Sequence, residues 1–117
     1  MQFRFYVFEA LFGVYLTKRS IPVNPAKVRR ETMVMLTDLP NIGPAMAKDL
    51  RRIGIERPQQ LAGRDAFELY VKLCEARGRH QDPCVLDTLM SVVDFMNGGE
   101  AKVWWAYTPE RKRLQAR

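Results

Sequence analysis

The length, composition and charge of the chain already narrow its class. A chain of 117 residues with 47% hydrophobic residues is long enough to bury the core of one domain without disulfides or a structural metal. Its formal net charge of +6 is carried by the ends, because residues 24–110 contain twelve basic and twelve acidic side chains. The net charge is therefore only weak evidence for function. The apolar run over residues 3–16 is too short to span a bilayer and contains Glu9, so we expect no membrane segment.

Helix start signals and charge divide the chain into three predicted parts. Residues 1–23 contain no convincing helix cap, and we expect them to be an N-terminal extension of doubtful structure. Residues 24–110 form the predicted domain, and residues 111–117 form a basic C-terminal tail with four cationic side chains.

Two helices are predicted on either side of a tight turn. Asn24 followed by Pro25 is typical of a helix start, and this helix is expected to continue through about Thr37. Its cations, Lys27, Arg29 and Arg30, are expected to stay in water. Residues 39–43 break the helical pattern. Pro44 then begins a second helix that Gly54 ends, with apolar positions at Met46, Ala47, Leu50 and Ile53.

Two further helices are predicted after the turn. Asp65 caps a third helix that ends at Gly78, and the stripe expected to be buried is Phe67, Tyr70, Val71 and Cys74. Asp82 and Pro83 begin a fourth helix, whose broad apolar face makes it the expected central core helix. Because no alternating strand pattern occurs, the sequence predicts an all-α, single-domain bundle of four to five short helices.

The turn Leu39-Pro40-Asn41-Ile42-Gly43-Pro44 resembles the helix-hairpin-helix motif of DNA repair and recombination proteins. In that motif a turn packed by apolar side chains aims backbone N–H groups and the positive end of the next helix at a phosphate. The bundle is then expected to be built around one helix-hairpin-helix. The predicted DNA-contacting residues are Asn41, Ile42, Gly43, Pro44, Ala45, Lys48, Arg51 and Arg52.

The turn departs from the motif at two positions. Asn41 stands where the first glycine is usual, and Ala45 stands where a phosphate-contacting lysine is common. Asparagine tolerates a left-handed backbone better than most residues, and Lys48 is the best placed substitute for the missing charge. The resemblance also implies a monovalent cation, K⁺ or Na⁺, held by carbonyl groups of the hairpin.

A wider resemblance covers residues 24–113. Besides the turn, the segments Asp-Leu-Arg-Arg-Ile-Gly-Ile, Asp-Pro-Cys-Val-Leu-Asp and Trp-Trp resemble the bacterial pathogenicity-locus family, whose members are often labelled mitomycin resistance proteins. The resemblance implies a helix-hairpin-helix over residues 39–55 and a structural motif over residues 82–87. It brings no known catalytic residue, and residues 1–22 lie outside it.

The cysteines and the histidine allow two interpretations. Cys74, His80 and Cys84 are zinc-ligand types near one predicted turn, but a fourth ligand at standard spacing is missing. The favoured interpretation makes both cysteines small core residues, with His80 and Asp82 bonding the turn. A Cys-His nucleophile pair lacks an orienting acid and an oxyanion hole. Two cysteines within helical patterns favour a reducing, cytoplasmic compartment.

Two other groups of residues remain ambiguous in the sequence. Asp82, Asp87 and Asp94 are more easily explained as a helix cap and a solvated face than as a metal-binding carboxylate cluster. Trp104 and Trp105 precede the basic tail, and they either stack on unpaired bases or close the core.

The leading hypothesis is an accessory protein that is not an enzyme and binds the DNA backbone without sequence specificity. It is expected to act in DNA repair or stress response without a cofactor beyond the hairpin cation. The alternative is a protein–protein interaction module whose hairpin is purely structural, and the balanced charge of residues 24–110 favours it.

Overall fold

The structure is a computed structural model that describes residues 24–116. It contains four α-helices, α1 (Pro44–Arg52), α2 (Ala66–Arg77), α3 (Pro83–Met96) and α4 (Thr108–Gln115). Single turns of 3₁₀-helix lie at Pro25–Lys27, Arg30–Thr32, Leu36–Asp38, Pro58–Leu61 and Trp104–Tyr107. Residues 24–116 contain no β-strand, so the predicted all-α class with four to five short helices is confirmed. The predicted N-terminal extension over residues 1–23 lies outside the described residues.

Most helix ends lie where local side-chain chemistry predicts them. The Asp65 carboxylate accepts the N–H of Phe67, and the Asp82 carboxylate accepts the N–H of Cys84, so each caps a helix start. Gly78 ends α2 with φ 70, a left-handed conformation that glycine adopts at little cost. None of the helices between residues 24 and 116 has the length and apolarity needed to cross a membrane.

The first arm of the predicted hairpin is not an α-helix. The stretch predicted as one helix up to about Thr37 forms three separate 3₁₀ turns, with extended backbone at Val28, Met33 and Met35. The Asp38 carboxylate accepts the N–H groups of Val34 at 2.9 Å and Met35 at 2.8 Å. These bonds give the backbone a local alternative to the helical pattern. The prediction of a first helix was therefore wrong.

One cation of this first arm, Arg30, is exposed as predicted but also binds other parts of the protein. The Arg30 guanidinium donates to the carbonyl groups of Phe95, at 2.6 Å, and Gly99, at 2.7 Å, and lies 3.9 Å from the centre of the Phe95 ring. It thereby satisfies carbonyls at the C-terminal end of α3, where a positive charge is favourable. Arg30 therefore fastens the first arm to the central helix.

The predicted central position of α3 in the core is confirmed. Leu86, Leu89 and Val92 of this helix are fully buried. The other elements surround it with further buried side chains, among them Leu36, Leu39, Ile42, Ala47, Leu50, Ile55, Leu61 and Leu69. Burial of this apolar area supplies the main driving force of folding.

Helix α2 presents a different face to this core from the one predicted. Leu69, Tyr70 and Leu73 are buried, whereas Phe67 is 46% and Val71 is 39% exposed. Apolar residues occur on two faces of α2, so periodicity alone does not decide which face is buried. The prediction was wrong for Phe67 and Val71 because the pair of leucines four residues apart packs inward instead.

Three polar residues of α3, Asp87, Ser91 and Asp94, form what we call the polar stripe. Their spacings of four and three residues place them on one face of the helix. Asp87 and Ser91 are fully buried, and Asp94 is half-buried. The predicted solvated face was therefore wrong for Asp87 and Asp94, whereas Asp82 is the exposed cap that was expected.

The polar stripe binds the C-terminal segment. The Asp87 carboxylate accepts bonds from the Thr108 hydroxyl at 2.6 Å and from Arg111 Nε at 2.9 Å, and the Asp94 carboxylate accepts one from the Tyr107 hydroxyl at 2.6 Å. The bond to Asp87 raises the pKa of the Arg111 guanidinium. Part of the predicted basic tail is thus the end of α4, held to α3 by a buried carboxylate.

Replacing Asp87 by alanine is expected to lower the free energy of unfolding by about 2 to 3 kcal/mol, because two bonds to a buried charged group disappear. Urea titration followed by circular dichroism measures the change. The matched control is Glu110→Ala in α4, which removes an exposed ion pair with Arg113 and should change the value by no more than about 0.5 kcal/mol. Equal effects of the two substitutions would contradict the anchoring role of Asp87.

Alkaline pH is expected to loosen the same segment through Tyr107. Burial and the hydrogen bond to Asp94 raise the pKa of the Tyr107 phenol. An acid whose pKa is higher in the folded state stabilises the fold while it is protonated, and this stabilisation is lost as the pH rises above about 10. Urea titrations at about pH 8 and pH 10.5 should show a larger loss of stability in the wild type than in Tyr107→Phe. Parallel losses would refute the prediction.

Candidate nucleic-acid interface

The turn between Leu39 and Pro44 is built into the core. Leu39 and Ile42 are completely buried, and Asn41 adopts a left-handed backbone with φ 65. Gly43 follows in an extended conformation, and its carbonyl accepts the N–H of Ala47 at 3.0 Å as the first helical bond of α1. The conformation expected of Asn41 is confirmed. The turn is therefore a rigid support for the start of α1.

The Asn41 side chain ties this turn to two distant parts of the chain. It is 4% exposed, and its Nδ2 donates to Ser91 Oγ at 3.0 Å and to the carbonyl of Lys102 at 2.7 Å. The Ser91 hydroxyl in turn donates to the carbonyl of Thr88 at 2.6 Å. Asn41 thus joins the turn, the polar stripe and the segment that leads to the tryptophans.

The eight residues predicted to contact DNA separate into a buried and an exposed group. Asn41, Ile42 and Gly43 are buried and form the support, and the exposed group is Pro44, Ala45, Lys48, Arg51 and Arg52. Proline has no N–H, so the first free donors of α1 are the backbone N–H groups of Ala45 and Met46, ahead of the first helical bond. Together with the positive end of the helix, these two groups make the part of the turn that can face an anion.

The cations of α1 differ in their availability. Arg52 Nε lies 3.3 Å from the Asp49 carboxylate, which also pairs with Arg77 at 2.8 Å. Lys48 and Arg51 are exposed and have no acidic partner among residues 24–116. Three residues apart on one helix, they lie on neighbouring turns of the same side. These two are the cations of α1 most free to bind a phosphate.

The two tryptophans have separate environments. Trp104 is half-buried, whereas Trp105 is 59% exposed, and their rings meet edge to face with centroids 5.3 Å apart. Neither of the two interpretations of the sequence therefore applies to both residues. Trp104 packs towards the protein, and Trp105 presents its ring to solvent.

The structure does not assemble the cysteines and the histidine into a metal site. No group of three His, Cys, Asp or Glu side chains suited to a metal lies within residues 24–116. Cys74 Sγ instead accepts the N–H of Gln81 at 3.4 Å, and the Tyr70 hydroxyl, which lies 3.4 Å from His80 Nε2, donates to the Gln81 carbonyl at 2.5 Å. Burial and the neighbouring Asp82 raise the pKa of the Cys84 thiol, which disfavours the reactive thiolate.

Sequence patterns did not predict the side chains that hold the C-terminal segment and the first arm to α3. Asp87 was expected on a solvated face and Arg111 in a basic tail, and the contacts of Thr108 and Arg30 were not predicted. One signal was present, because Asp87 lies between Leu86 and Leu89 in the most apolar of the four α-helices of residues 24–116. A charged residue at such a position is expected to be buried in a pair with a residue of opposite charge.

The fold and this surface define a small all-α protein with a rigid turn, a basic helix α1 and an exposed tryptophan. The profile of the family described as "Cdd1: Pathogenicity locus" matches residues 29–113. The chain therefore belongs to the Pathogenicity locus family, as its sequence segments indicated. It is 52% identical over 81 residues to "Mitomycin resistance protein McrB" of Streptomyces lavendulae, covering 69% of this chain and 77% of that protein. No solved structure matches the chain.

Two substitutions of Asn41 separate its backbone role from its side-chain role. Asn41→Gly loses the bonds to Ser91 and Lys102 but keeps a residue suited to φ 65, so we expect a loss of stability of about 1 to 2 kcal/mol. Asn41→Ala loses the same bonds, and alanine tolerates the left-handed backbone less well than asparagine or glycine, which costs about 1 kcal/mol more than in the glycine variant. Thermal and urea unfolding measure both values. A glycine variant as stable as the wild type would show that the side-chain bonds contribute nothing.

Proposed function

We propose that this protein binds DNA through the sugar-phosphate backbone, without reading the base sequence, using the turn at residues 39–44 and helix α1. The observation that supports the proposal is a buried, hydrogen-bonded turn that presents the start of α1 beside two unpaired cations. Lys48 and Arg51 have no acidic partner among residues 24–116, although acidic residues are as frequent as basic ones over residues 24–110.

The chemistry of the surface suits a phosphate rather than a base edge. The N–H groups of Ala45 and Met46 and the positive end of α1 attract an anion at one point, and Lys48 lies one turn further along the helix. Backbone N–H groups and flexible cations bind any phosphate equally, so they position DNA without selecting a sequence. The monovalent cation implied by the helix-hairpin-helix resemblance would belong to the same turn, and it stays a prediction.

The proposed phosphate-binding unit is smaller than a complete helix-hairpin-helix. Because the first arm consists of 3₁₀ turns, the phosphate-binding unit is the turn and α1, with the first arm held through Arg30. A mitomycin-resistance relative is compatible with an accessory role in DNA repair or stress response in the cytoplasm. That role requires no catalytic residue.

A second candidate function is a protein–protein interaction module. Phe67 and Val71 are partly exposed, and they line a groove of about 470 Å³ together with Tyr70 and Leu114. A partly exposed apolar groove is typical of a protein-binding surface. In this alternative the turn at residues 39–44 is purely structural and charge reversal in α1 has no effect on function.

The proposal predicts salt-dependent binding of the full-length chain to labelled duplex DNA in fluorescence anisotropy. Charge reversal by Lys48→Glu or Arg51→Glu should weaken binding equally for unrelated sequences, because each residue contacts a phosphate and not a base. Each substitution should reduce the slope of log affinity against log salt by about one.

The control for this experiment is Lys112→Glu in α4, an exposed cation outside the proposed surface. Deleting residues 111–117 is unsuitable because it removes Arg111 from the buried carboxylate of Asp87. If wild type shows no salt-dependent binding, the DNA-binding proposal is wrong and the interaction module is favoured. If Lys112→Glu is as defective as Lys48→Glu, the contact is a general charge effect rather than a site on α1.

A further inference from the structure

The exposed indole of Trp105 is held on a rigid support. Its ring rests edge to face on half-buried Trp104, and the residues that follow are bonded to the polar stripe through Tyr107 and Thr108. Burial of an indole normally contributes to stability, yet 59% of Trp105 stays in water. A large ring fixed in this way is preorganised to stack on a flat partner.

The segment that carries Trp105 is also bonded to the turn at residues 39–44. The Asn41 side chain binds the Lys102 carbonyl at 2.7 Å, and Lys102 precedes Trp105 by only three residues. Three residues of chain span at most about 11 Å, so the Cα of Trp105 lies within that distance of the residue that the Asn41 side chain binds. Lys102 is exposed as well, and its ammonium lies 5.9 Å from the centre of the Tyr107 ring.

We propose that Trp105 stacks on an unpaired DNA base while phosphates of the same strand are bound at α1. This inference rests on the DNA-binding function proposed above and specifies its ligand as DNA with unpaired bases, such as single strands, gaps and junctions. In a continuous duplex both faces of each base are covered by its neighbours, so an indole has nothing to stack on. An unpaired base offers its π-face, whichever of the four bases it is. The preference is therefore for structure and not for sequence.

A comparison of two single strands separates stacking from phosphate binding. One is an oligothymidine of about twelve nucleotides, and the other has the same length and phosphates but abasic residues throughout. The full-length chain is titrated into each by fluorescence anisotropy at matched salt. We expect the wild type to bind the thymidine strand about five- to a hundred-fold more tightly, which is the range measured for one stacked base.

Substitution of the indole identifies the group responsible. Trp105→Ala should lower affinity for the thymidine strand to that for the abasic strand and leave abasic binding unchanged, whereas Trp105→Phe should retain part of the preference. Phe67→Ala, another exposed aromatic residue, lies on α2 and should change neither affinity. In a Trp104→Phe background, the fluorescence of Trp105 should be quenched by the thymidine strand alone.

The outcomes distinguish this inference from the function on which it rests. Equal, salt-dependent binding of both strands by the wild type would overturn stacking and leave phosphate binding intact. Loss of the preference to the same degree in Phe67→Ala and Trp105→Ala would also overturn it. Failure to bind either strand would refute the DNA-binding proposal and the stacking with it. Circular dichroism of each variant verifies that it is folded.

Discussion

The buried polar stripe of α3 is the constraint on which the arrangement of the molecule depends. Asp87 and Ser91 are fully buried in a helix whose other buried residues are mostly apolar. Two apolar surfaces can pack against each other in several relative positions. A buried polar group without a hydrogen-bond partner costs free energy, so the segment that carries its partner has to dock in one position. Arg111 donates a hydrogen bond to one end of the polar stripe, Asn41 to its middle and Tyr107 to its other end. Two segments far apart in sequence therefore dock on one helix in fixed positions.

Local chemistry explains which parts of the fold could be predicted from sequence. The starts of α2 and α3 follow from Asp65 and Asp82, whose carboxylates accept the N–H two residues later, and such signals act within one turn. The helix expected to continue through Thr37 failed because Asp38 offers a competing acceptor to the same backbone. Whether a helix follows a start signal in the sequence therefore also depends on side chains further along the chain, such as Asp38.

Long-range pairing explains what the sequence concealed of the candidate site. The spacing of Asp87 and Asp94 by seven residues fits a solvated face as well as a buried one, and the deciding partners lie 24 and 13 residues further along the chain. Lys48 and Arg51 could be predicted as cations of the candidate site, because the turn resembles a helix-hairpin-helix and they lie on the helix that follows it. The difference in exposure between Trp104 and Trp105 could not be predicted, because it depends on how the segment at residues 101–107 is bound to α3.

The same pairing changes how the balanced charge over residues 24–110 is to be weighed. The Asp87 carboxylate is paired with Arg111, and the Asp49 carboxylate is shared by Arg52 and Arg77, so these two acids do little to offset the potential around Lys48 and Arg51. Formal counting gives each charge equal weight, whereas exposed and unpaired groups dominate the interaction with a ligand in water. The balance first favoured an interaction module over DNA binding. The distribution of paired and unpaired groups weakens that argument, because two cations of α1 have no acidic partner among residues 24–116 while Asp49 and Asp87 are paired with arginines.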